Sequence, residues 1–202
     1  MPVVERPFFN VQVFAAPLDE LVARLCAVPL RGKVARTTPF VFPTQPYHQA
    51  PEDPPMLLWT PSCVPGLTAF MPNVGSGCYF IAAYAAERLR IATLQLRSTV
   101  SDAEWPINEL IAHEGGVERR MVRAMRDSPR WDFCAVGDPL AIETPSMYSA
   151  RRIRDRFHRV ALLDAAERWG APLRDPAFWR TDRTAMTFSS DGILRHELAR
   201  IE

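Results

Sequence analysis

Apolar residues recur along this chain with short periods, and the runs break at proline and glycine. Between Pro7 and Pro17, the residues Phe8, Phe9, Val11, Val13 and Phe14 predict a largely buried strand. A short helix begins near Asp19, where Leu18, Leu21, Val22 and Leu25 fall at helical spacing until Pro29 and Gly32 end the run. The stretch 39–72 holds nine prolines, which forbids long helices and confines strands to short ladders. Its apolar anchors, among them Phe40, Phe42, Leu57, Trp59 and Phe70, predict an ordered but irregular segment with strands near 38–42, 56–60 and 67–71. A glycine-rich turn from Asn73 to Cys78 then leads into an apolar helix, Tyr79 to Leu89.

The chain is organised around Ile91 to Gly170. Ile91 to Val100 alternates, with Leu94 and Leu96 on one face and Thr93, Gln95 and Arg97 on the other, as in a half-buried strand. Asn108 to His113 and Val117 to Arg126 flank Gly115-Gly116, a hairpin signal. Trp131 to Val136 and Leu140 to Glu143 are expected to pair across Gly137-Asp138-Pro139. Connections this short exclude crossover helices, so the runs predict an antiparallel meander. A long amphipathic helix is expected from Tyr148 to Trp169, stopped by Gly170 and Pro172. Further on come Phe178-Trp179, a strand near Ala185 to Phe188, and a helix after Asp191. The fold class expected is α+β, a largely antiparallel twisted sheet packed against amphipathic helices in a single domain over residues 1–202.

Composition narrows the function classes. With 48% hydrophobic and 23% charged residues the chain can bury a sizeable core. The net charge is +1, and residues 91–202 carry 17 basic and 17 acidic groups, which disfavours wholesale binding to nucleic acid or a membrane surface. All but one of the 24 basic residues are arginine, a preference that matches GC-rich coding as well as a demand for guanidinium groups. No apolar run approaches the roughly 20 residues of a membrane-spanning helix, and the first residues lack a signal peptide's pattern, so a cytoplasmic location is expected. Cys26, Cys63, Cys78 and Cys134 are widely spaced and read as reduced, mostly buried thiols.

No motif names a reaction, a cofactor or a metal. The turn before Tyr79 lacks the lysine of a P-loop and reads as a plain turn capped by Ser76. Cys78 at a helix start, with a histidine base, would make a nucleophile, and Glu109, His113 and Glu114 could supply acid and base for a small hydrolase or transferase. No family signature surrounds any of them, so the preferred reading is a buried structural cysteine and solvated strand and loop charges. The arginine-studded helix, with five arginines between Arg151 and Arg159, could take RNA or a nucleotide, or could be neutralised by nearby acids in a sheet-to-helix network that includes Arg123, Arg152 and Arg156.

At Arg130-Trp131-x-Phe133, Gly137-x-Pro139-Leu140, Glu143 and the following Tyr148, Arg151, Ile153 and Arg156, the chain resembles immunity proteins of polymorphic-toxin and type VI secretion systems. The resemblance spans roughly residues 67–180. It implies a non-enzymatic protein that binds and neutralises a cognate bacterial toxin. Such binding is anchored by an aromatic or arginine side chain within a polar rim. The contact residues expected from position are Tyr47, His48, Glu52 and Asp53, together with Glu104 and Trp105.

Overall fold

The computed structural model describes residues 8–26, 32–36, 56–72, 79–100, 102–127, 129–183 and 185–190. The expected strand near 38–42 and the helix after Asp191 lie outside these residues. The described strands are β1 (Phe8–Phe14), β2 (Gly32–Arg36), β3 (Met56–Trp59), β4 (Thr68–Met71), β5 (Thr93–Thr99), β6 (Ile107–Glu114), β7 (Val117–Asp127), β8 (Arg130–Val136) and β9 (Met186–Ser190). They form one sheet in the order β2-β9-β3-β4-β1-β5-β6-β7-β8, with every described pairing antiparallel. The fold is α+β, as the hydrophobic pattern predicts, and β5 to β8 are the expected meander.

Register sorts the side chains into two faces. Val11, Leu96, Leu110 and Val122 face each other across four strands and belong to one buried cluster. That face is covered by helix α3 (Arg159–Trp169) and by the turn at Pro176–Trp179, which contribute Leu162, Ala165, Ala166, Phe178 and Trp179. Trp59 donates its indole N–H to the Phe178 carbonyl at 2.9 Å, so this aromatic core is also hydrogen-bonded. On the opposite face, Phe14, Leu58 and Phe70 pack with α1 (Leu18–Cys26) and α2 (Tyr79–Leu89) through Leu21, Leu25, Ala82 and Ala85.

Three local expectations are corrected. The segment Leu140 to Glu143 is a turn and does not return as a strand, because the Glu143 N–H bonds the Leu140 carbonyl and the Leu140 N–H bonds the Glu143 carboxylate. The long helix from Tyr148 is divided into 3-10 turns at Pro145–Ser149 and Ile153–Asp155 before α3 begins. Extended backbone at Ala150 (ψ 138°) and Arg152 (ψ 127°) makes the breaks, and His158 caps α3 by accepting from the Ala161 N–H. Finally β5 is buried on both sides, since α2 packs against it and covers Thr93 and Gln95 as well.

Candidate interaction site

Two arrangements on β5 to β8 stand out, one internal and one at the surface. The internal one starts from a bulge. Ala112 faces Arg120 and His113 faces Glu118, so Arg119 is the extra residue on β7. Gly137, just past β8, fits against this bulge at φ +80°, where an added Cβ would lie 2.1 Å from the Arg119 carbonyl oxygen. The Gly137 carbonyl in turn accepts from Arg120 Nη1.

Arg120 extends on the α3 side into a site that water does not reach. Its Nε and Nη2 donate to both oxygens of Glu143 at 3.0 to 3.1 Å, and the Glu143 side chain is 0% exposed. Glu143 also accepts from the Leu140 N–H at 2.7 Å and from the Tyr148 hydroxyl. Burial opposes the charge on Arg120, but the bonds to Glu143 and Tyr148 outweigh it and hold its pKa above the ordinary value. Burial, followed by the hydrogen bond to Glu143, pushes the Tyr148 hydroxyl up to about 12. The three groups pin residues 137–148 to the sheet; Phe133 stacks on Tyr148 at 5.4 Å and Arg156 sits over the Phe133 ring.

The opposite face of β5 to β8 carries a ladder of charges. Glu109 lies between Arg97 at 3.4 Å and Arg123 at 3.9 Å, and Arg123 reaches Asp132 at 4.0 Å. Register alone sets this order, since Arg97, Glu109, Arg123 and Cys134 are successive cross-strand partners. Farther along the same face His113 is buried against Thr93, its ring nitrogen 3.3 Å from the hydroxyl. Burial lowers its pKa, more than the nearby Glu118 and Glu87 raise it.

The surface feature is the loop between β5 and β6. Trp105 is 56% exposed there, beside the exposed Glu104. Arg126 of β7 holds the loop from beneath, donating to the Glu104 carbonyl at 2.7 Å and the Ala103 carbonyl at 3.4 Å, while its backbone N–H bonds the Pro106 carbonyl at 2.9 Å. The indole therefore projects from a braced backbone.

Of the expected contact residues, Glu104 and Trp105 share this loop, and Tyr47, His48, Glu52 and Asp53 lie outside the described residues. So does Cys78. Glu109, His113 and Glu114 do not converge: strand alternation turns Glu114 to the other face, and four residues place Glu109 and His113 about 13 Å apart. In the arginine network, Arg123 bridges Glu109 and Asp132, and Arg156 donates to the Ala150 carbonyl at 3.0 Å. Arg152 is exposed, and the arginines from Arg151 to Arg159 are spread over a 3-10 turn, its flanks and the start of α3 rather than along one helix. The buried centre of the network is Arg120, which was not among the expected arginines; the i, i+2 alternation with Val122 and Ala124 was the available signal. Among the described residues no group of three or more His, Cys, Asp or Glu is placed to hold a metal, and no helix is long and apolar enough to cross a membrane. Comparison with family models, curated proteins and solved structures gives no match.

Proposed function

We propose that this chain is a binding protein of the immunity type, which neutralises a cognate bacterial toxin in the cytoplasm by direct contact. The observation that carries the reading is the setting of Trp105. A large aromatic side chain left in water on a loop fixed by three hydrogen bonds from Arg126 is a preorganised anchor, and such anchors supply most of the free energy of tight protein contacts. Glu104 beside it, with Arg123 and Asp132 at the solvent-facing end of the charged ladder, provides polar surface on the same sheet. The resemblance at Trp131, Phe133, Gly137, Glu143 and Tyr148 supports the same reading; within it Phe133, Gly137, Glu143 and Tyr148 belong to the network that pins residues 137–148 to the sheet.

The test is co-expression with the product of a neighbouring toxin-bearing gene. A stable complex and protection of the cell are expected. Trp105→Ala should weaken the complex by about 2 kcal/mol or more, roughly thirtyfold, without changing the melting temperature. Failure to form a complex or to protect refutes the proposal.

A further inference from the structure

We infer that Trp105 is the seat for an arginine side chain from a basic protein surface, which stacks on the indole and pairs with the carboxylates of Glu104 and Asp127. The inference rests on the reading of the β5–β6 loop as the contact site and names what that site takes. β6 and β7 pair through Ile107 and Met125, and one residue on the Arg126 N–H bonds the Pro106 carbonyl at 2.9 Å. Continuing the register by one more residue sets Asp127 beside Trp105, with Glu104 next along the loop. Asp102, Glu104 and Asp127 are all exposed, and among the described residues none of them is in an ion pair. Of the arginines nearby, Arg126 directs its guanidinium to the carbonyls of Ala103 and Glu104, and Arg130 stands exposed across the turn from Asp127. Farther out, Arg123 is offset by Asp132 and Arg154 by Asp155. The end of the sheet around Trp105 therefore has more unpaired carboxylates than free guanidinium groups.

The fold itself uses the contact inferred. Arg159 lies over the Phe9 ring at 4.9 Å, Arg120 over Tyr148 at 5.5 Å and Arg156 over Phe133 at 5.7 Å. Trp105 has the ring type best suited to a cation, is 56% exposed, and among the described residues has no guanidinium over it. The carboxylates decide between occupants. An apolar pocket closing over the indole would desolvate them without a counter-charge. A second copy docking through the same loop would bring the same carboxylates, and a nucleic acid its phosphates, so both are repelled. A guanidinium meets both features at once, because it is flat enough to stack on the indole and its edge donates several N–H groups to carboxylates.

The experiment uses the full chain, labelled for nuclear magnetic resonance, and two probes of the same shape: acetyl-Gly-Arg-Gly amide and the same peptide with citrulline, which lacks the charge. The readout is the indole N–H signal of Trp105, identified by its loss in Trp105→Phe. The arginine peptide should shift this signal in a saturable way, with an affinity roughly fivefold or more above that of the citrulline peptide, and salt should shrink the difference. Glu104→Gln combined with Asp127→Asn changes two exposed, unpaired side chains, so the fold should persist while the preference is erased. An equal response to both peptides, no response to the arginine peptide, or an unchanged preference in the double variant overturns the inference. Toxin binding is read separately. A complex weakened by Trp105→Ala but not by the double variant keeps the immunity reading and sinks the cation seat, whereas an arginine preference without any complex keeps the seat and refutes the immunity reading.

Discussion

Replacing Glu143 by glutamine keeps the size of the side chain and removes its charge. In the native protein two carboxylate oxygens accept from Arg120 Nε, Arg120 Nη2, the Leu140 N–H and the Tyr148 hydroxyl. Glutamine offers one oxygen and an NH2 group. If the NH2 replaces Oε1 it confronts the Leu140 N–H; if it replaces Oε2 it confronts Arg120 Nη2. Either way a guanidinium that is 3% exposed is left without a counter-charge. Removing one partner of a buried pair costs about 3 to 5 kcal/mol, a large part of the 5 to 15 kcal/mol that holds a domain together. Urea unfolding followed by tryptophan fluorescence should therefore show an unfolding free energy lowered by that amount for Glu143→Gln. The double variant Arg120→Met with Glu143→Leu should recover much of the loss, because apolar groups of similar volume need no counter-charge. A loss below about 1 kcal/mol for Glu143→Gln, or a double variant no better than the sum of its single changes, would refute the dry, mutually dependent pair.

Gly137→Ala should destabilise by about 2 kcal/mol or more in the same assay, since the residue has φ +80° and its new methyl would collide with the rigid Arg119 backbone. Burial lowers the pKa of His113, so the folded state prefers the neutral ring; stability should be complete above the ordinary value of 6.5 and fall as pH drops below it, and a His113→Gln variant should show a flatter profile by thermal melting. Tyr148 behaves in the opposite sense: its proton is retained in the folded state up to about 12 but lost from the unfolded chain near 10, so stability should decline as pH rises between these values, and Tyr148→Phe should remove that decline.

The meander was legible because its signals are local. Gly115 and Gly116 adopt φ +64° and +91° at the hairpin between β6 and β7, and the alternation of Leu110 and Ala112 with Glu109 and Ile111 sets which residues join the apolar cluster under α3. The errors arise where distant groups decide. Leu140 to Glu143 has strand-like composition, yet a carboxylate drawn to Arg120 and Tyr148 folds it into a turn. The arginines after Tyr148 keep helical spacing, but Arg156 bonds the Ala150 carbonyl and His158 caps a new helix, so spacing alone could not reveal the breaks. Of the candidate site, Glu104 and Trp105 could be proposed from exposure-prone residues in a loop, whereas the support from Arg126, 22 residues away from Glu104, is a product of β6–β7 pairing.

The position of β9 has a consequence for how the chain is made. Residues 186–190 lie between β2 and β3, two strands drawn from the first third of the sequence. On the ribosome, β3, β4, β1 and β5 through β8 can zip together while synthesis continues, but among the described strands β2 has no partner until β9 emerges. The nascent protein thus carries an unfinished flank through most of its translation, and a chaperone that shields bare strands during that interval would bind it there.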